Sequence, residues 1–110
     1  FTYVDDCVDG ICKGIDLLVN KKESNQTINL AFGQGNTLVT MAQYIGDALG
    51  KQPNMKFKPA RVGEVTHYVA NIGKARALLG YNPSTSLKEG IFKAVEWSSG
   101  WGAIINPSEE

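Results

Sequence analysis

Thr27-Ile28-Asn29-Leu30-Ala31-Phe32 is the stretch whose reading decides the fold class of this chain. Ile28, Leu30 and Phe32 share one side of an extended backbone, while Thr27, Asn29 and Ala31 share the other. That period of two marks a half-buried strand. Gly33-Gln34-Gly35-Asn36 then closes the run. Two glycines after a strand also invite comparison with a phosphate-cradling loop. The dinucleotide fingerprint, however, needs a third glycine, a helix start and an acidic residue about twenty positions on. None of these is correctly placed, so the segment reads as a plain turn.

Working outward, Phe1-Thr2-Tyr3-Val4 is a second β-prone run, after which Asp5 or Asp6 is expected to cap a helix. Val8, Ile11, Cys12, Ile15, Leu18 and Val19 fall on one face of that helix. Gly10 and Gly14 weaken it and form a flat stripe that another backbone can approach. The helix fades into the polar loop Asn20-Lys21-Lys22-Glu23-Ser24-Asn25. Downstream, Thr37 is an N-cap, Leu38, Met41, Ala42, Ile45 and Leu49 form an inner face, and Gly50 stops the helix at C′. Met55-Lys56-Phe57-Lys58 is a short alternating strand.

Asn71 caps a short helix with Ile72, Ala75, Leu78 and Leu79 inward, ended by Gly80. Ser86-x-x-Glu89 is a capping box that opens a last helix. Leu87, Ile91, Ala94 and Val95 point inward there, and the helix is expected to end near Trp97. Residues 1–98 then make the folded portion and 99–110 a flexible tail, in which Trp101 is a candidate for docking.

The element order predicts an α/β fold: a small sheet of about three short strands with four helices. Three short strands are few for a free-standing parallel sheet, whose faces are normally both covered. The chain also starts without methionine inside a strand-like run. Both features lead us to expect a fragment of a larger fold.

Composition narrows the function. Eleven acidic and eleven basic side chains cancel, which leaves no global field to draw in nucleic acid or an anionic membrane. No apolar run is long enough to span a bilayer, and no signal peptide is visible, so a cytoplasmic protein is expected. Cys7 and Cys12 match neither a zinc pattern nor a disulfide framework and read as buried free thiols. With a single histidine, no Ser/His/Asp set or metal site is arguable.

One loop carries the remaining chemistry. Pro59-Ala60-Arg61-Val62-Gly63-Glu64-Val65-Thr66-His67-Tyr68 has neither helical nor strand periodicity. Arg61 offers a planar fork of donors suited to phosphate or carboxylate oxygens, and Gly63 lets the backbone turn or a ligand come close. By residue type alone, Arg61 and Glu64 read first as a surface ion pair that stabilises little.

Val69-Ala70-Asn71-Ile72-Gly73-Lys74-Ala75 and Leu79-Gly80-Tyr81-Asn82-Pro83 follow this loop. Together the three segments resemble the C-terminal region of NAD-dependent sugar-nucleotide epimerases and dehydratases, in the extended short-chain dehydrogenase/reductase family. The resemblance covers most of the chain, Phe1-Thr2-Tyr3-Val4-Asp5-Asp6 included, and implies a piece of a larger Rossmann-type epimerase. It places Arg61 on a phosphate-contacting arginine, Glu64 on an acidic position near the nucleotide ribose and Tyr68 near the sugar. Asn71 and Gly73 depart from the family's aspartate and serine, and the arginine that precedes the Phe1 run is absent.

The family's tyrosine-x-x-x-lysine pair also has no counterpart, because neither Tyr44 nor Tyr68 has lysine four residues on. The resemblance therefore implies a substrate-binding portion with no catalytic, cofactor-binding or metal residues of its own. NAD belongs to the full-length enzyme. The implied partners are a UDP-sugar, the missing N-terminal NAD-binding domain and a second copy of the chain, with a UDP-sugar 4-epimerase as the preferred subclass. The alternative is a free-standing binding module without catalytic activity, which oligomerises through an uncovered sheet edge and the Gly10/Gly14 stripe.

Overall fold

The structure, a computed structural model, describes residues 1–20 and 25–105. It contains four helices: α1 (Val4–Val19), α2 (Leu38–Leu49), α3 (Gly73–Leu79) and α4 (Leu87–Ile105). The chain divides into two compact units. One comprises Phe1–Gly35 and Gly63–Ser86, the other Asn36–Val62 and Leu87–Glu110.

The sheet is the first correction. Among the described residues there is no strand, so the expected α/β class with about three short strands is overturned. Burial along Ile28-Asn29-Leu30 still follows the alternation, with Ile28 and Leu30 half-buried and Asn29 exposed. Alternation reports which side chains turn inward; a strand additionally needs a hydrogen-bonded neighbour. Here the run packs its side chains on helices instead. Met55–Lys58 is likewise outside any ladder, and Val4 is already the first residue of α1.

In the first unit, Ile72, Ala75 and Tyr81 form the buried core, with Ile28, Leu30, Ala31 and Leu79 packed around it. Local signals set the short helix α3 as expected. Asn71 acts from one position further out than a cap, its Oδ1 accepting the Gly73 N–H at 2.8 Å. Gly80 ends the helix in the left-handed region at φ 63°, where its N–H reaches the Arg76 carbonyl.

Helix α1 departs from expectation. Tyr3 occupies the N-cap without a side-chain capping bond to the helix, and Asp5 and Asp6 lie in the first turn. Asp6 faces inward and is buried. Its carboxylate accepts the Ser84 N–H at 3.2 Å and the Thr85 N–H at 3.0 Å. One turn on, Gly10 sits so close to the core that a Cβ there would be 2.7 Å from the Leu30 side chain. Polar and small residues therefore make the inner face. Val8, Ile11, Ile15, Leu18 and Val19, on the apolar face of the pattern, are each at least half exposed, and of the two cysteines expected to be buried Cys12 is exposed and Cys7 only half-buried. Two hydrogen bonds to a buried carboxylate, one of them itself buried, outweigh the rotation that the apolar pattern alone favours.

Tyr81 has 1% of its surface exposed, and its hydroxyl finds no hydrogen-bond partner among the described residues. Burial, and next the nearby Asp6, Cys7 and Asp9, raise its pKa above the ordinary value of 10.0. The folded unit thus holds the phenol proton longer than the unfolded chain does. Stability from this source is intact below about pH 10 and is lost as pH rises through the folded value. Tyr81→Phe removes both the unpaired hydroxyl and this titration. It is expected to stabilise the chain by about 1 kcal/mol and to flatten the alkaline decline. Urea melts of both proteins at neutral pH and above pH 10 check this, and an identical decline in the two would refute it.

In the second unit α2 packs on α4. Thr37 caps α2 as read, its Oγ1 accepting the Thr40 N–H at 3.0 Å. Gly50, at φ 64°, closes the helix in a Schellman motif with Gly50 N–H to Asp47 and Lys51 N–H to Gly46. Met41 and Ala42 are half-buried, whereas Leu38, Ile45 and Leu49 stay exposed. On α4, Gly90 and Ile91 are buried, Leu87 and Val95 are half-buried and Ala94 is exposed. The Lys88 ammonium lies 5.9 Å from the centroid of the Tyr44 ring, a cation–π contact.

Helix α4 starts right after Ser86 and runs to Ile105, well past Trp97. No proline follows until Pro107, and Ser99 Oγ donates to the Val95 carbonyl at 2.9 Å, inside the helix rather than against it. The tail beyond Ile105, the side chain of Trp101 and most of the polar loop at residues 21–24 lie outside the described residues.

Candidate functional site

The loop from Pro59 to Tyr68 is exposed along its whole length. It turns at Val62–Gly63, where Gly63 adopts φ 81°. A side chain would meet nothing within 4 Å there, so the backbone angle rather than crowding demands glycine. The boundary between the two compact units falls inside this turn. Arg61 belongs with the second unit, and Glu64, His67 and Tyr68 belong with the first.

All three residues singled out from the sequence are surface groups. Tyr68 is 81% exposed, next to the exposed Val65 and Val69. Arg61 and Glu64 sit on either side of the Gly63 turn. By residue type, a guanidinium fork suits phosphate or carboxylate oxygens and a carboxylate suits hydroxyl groups.

Sequence reasoning missed a shallow cleft of about 200 Å³ on the first unit, lined by Lys13, Asp16, Leu17, Asn20, Leu78 and Leu79. Its residues are distant in sequence, so only the packing of α1 beside α3 reveals it. Two of its polar side chains are already committed: Lys13 pairs with Asp9, and the Asn20 amide donates to the Asp16 backbone carbonyl. None of Arg61, Glu64 and Tyr68 lines it. Among the described residues, no helix is long and apolar enough to cross a membrane. No group of three or more His, Cys, Asp or Glu side chains converges there either.

No family model matches the chain. Individual relatives do. The chain is 32% identical over 100 residues to "Uncharacterized UDP-glucose epimerase YtcB" of Bacillus subtilis (strain 168), covering 90% of this chain and 30% of that protein. It is 32% identical over 114 residues to "UDP-glucuronate 4-epimerase 3" of Arabidopsis thaliana, covering 92% of this chain and 26% of that protein. Over most of its length the chain is homologous to a region of nucleotide-sugar epimerase/dehydratase family proteins. A third relative in the family is "UDP-glucuronic acid decarboxylase 1" of Danio rerio, 29% identical over 99 residues, 90% of this chain and 22% of that protein. The chain thus spans less than a third of the length of these epimerase-family relatives.

Proposed function

We propose that this chain is the substrate-binding portion of a nucleotide-sugar epimerase, with a UDP-sugar 4-epimerase as the subclass. The matches to UDP-sugar epimerases along nine-tenths of the chain carry this reading. The decarboxylase relative shares the same stretch, so the reaction itself would be decided outside it. On this reading Arg61 contacts the diphosphate, Glu64 the ribose and Tyr68 the sugar end. NAD and the catalytic tyrosine–lysine pair belong to the part of a cytoplasmic enzyme beyond this chain. The physical logic is that binding energy from the non-reacting nucleotide positions the sugar ring for chemistry.

The exposed loop supports a weak site, because a single guanidinium in open solvent makes charge-assisted bonds with no help from burial. Titration with UDP and UDP-glucose, followed by amide NMR, tests the reading. Shifts should cluster on Arg61, Gly63 and Glu64. Arg61→Ala should weaken binding about tenfold or more, the loss of a bond to a charged group. A folded chain that shows no shifts up to millimolar ligand would sink the proposal for this loop.

A further inference from the structure

The Gly33-Gln34-Gly35 turn reads in the sequence as nothing more than the end of an alternating run. In the folded unit its glycines meet the downstream end of the candidate loop. A Cβ added at Gly33 would stand 3.0 Å from Ile72 Cδ1, and one added at Gly35 would stand 3.3 Å from Val69 Cγ2. Both contacts lie within the first compact unit. The turn thus seats the segment that leads from Tyr68 into α3.

The two glycines are required for different reasons. Gly33 adopts φ 80°, an angle that side chains disfavour, and the Ile72 packed on it is 5% exposed and part of the core. Gly33 therefore belongs to the fold. Gly35 lies outside the left-handed region, so its backbone does not itself call for glycine. Val69 is what stands in the way of a side chain. A Cβ at Gly35 would push Val69 aside by a few tenths of an ångström. The β-branched side chain has little χ1 freedom with which to absorb that push, so its backbone moves. Val69 is also better covered than Val62, Val65 and Tyr68 before it, which makes it the tether nearest the Tyr68 ring.

We propose that Gly35 is a positioning residue for the ligand: through Val69 it sets where Tyr68 presents its phenol, and so governs the grip on the sugar end of a nucleoside diphosphate sugar. The inference rests on the nucleotide-sugar reading of the loop. Arg61 belongs to the other compact unit, so the diphosphate contact is not carried by this seat. Gly35 accordingly separates a nucleotide sugar from the bare nucleotide instead of tuning affinity for both.

Amide NMR of the full chain tests this on wild type, Gly35→Ala, Val69→Ala and the double variant. Without ligand, Gly35→Ala should move the Tyr68 amide resonance and leave those of Ala75 and Tyr81 in the core unmoved. In the Val69→Ala background it should no longer move Tyr68. In titrations, Gly35→Ala should weaken UDP-glucose about threefold to tenfold, the worth of one neutral hydrogen bond, and change UDP by less than about twofold. With Val69→Ala present, it should cost nothing further. A merely structural glycine would weaken both ligands alike and in both backgrounds, an outcome that overturns the proposal. Equal wild-type affinity for UDP and UDP-glucose also overturns it, since Tyr68 then holds no sugar. A wild-type chain that binds neither sinks the nucleotide-sugar reading and the ligand role of Gly35 with it. The ligand-free cycle keeps that failure apart from failure of the seat, which is refuted if Tyr68 ignores Gly35→Ala even where both ligands bind.

Discussion

Asp6→Ala is expected to destabilise the first unit by about 3 kcal/mol, the cost of leaving two inward-facing backbone N–H groups without their charged acceptor. Asp6 is buried and bonds Ser84 and Thr85, so its loss frees the Pro83–Ser86 segment from α1 at the same time. Urea unfolding followed by far-UV circular dichroism measures the total. Amide exchange at Ser84 and Thr85 separates this cause from a general loosening, because these two protons should lose protection first. Asp6→Asn keeps one oxygen acceptor and should fall between the two. Should Asp6→Ala leave stability within about 0.5 kcal/mol of wild type, as surface changes do, the anchor would be ornamental.

Gly46→Ala should cost the second unit about 2–3 kcal/mol through overpacking, although alanine is by about 1 kcal/mol the better helix former. Its Cβ would stand 2.6 Å from the Lys51 carbonyl oxygen and 2.9 Å from Pro53 Cδ. The first of these is backbone and cannot swing aside. Lys51 also donates to the Gly46 carbonyl at 2.9 Å, so any relief of the clash strains the Schellman closure of α2. Gly14→Ala provides the control. A Cβ there meets nothing within 4 Å, and the same substitution should stabilise by up to about 1 kcal/mol. Thermal melts should move in opposite directions for the two variants. Equal shifts would show that helix propensity, not the close approach, governs Gly46.

The candidate loop was legible as a loop, with its turn at Gly63, because absent periodicity and a glycine are local signals. Its chemistry was legible only by resemblance. An exposed arginine and glutamate three residues apart carry no mark that separates a ligand clamp from a surface pair. The cleft beside α1 was not legible at all, since residues 13–20 meet residues 78–79 only after α1 and α3 pack.

The sequence by itself determined what depends on a few neighbouring residues. Four helices follow from their periodicities, Thr37 and Asn71 hold helix starts, and Gly50 and Gly80 end helices in the left-handed region. Each of these rests on bonds spanning at most one turn or so. Only the tertiary structure decided which way α1 faces and whether the alternating runs become strands. The first hangs on a carboxylate whose partners lie 78 and 79 residues away. The second hangs on a hydrogen-bonded neighbour, which the alternation of Thr27–Phe32 invites but cannot supply.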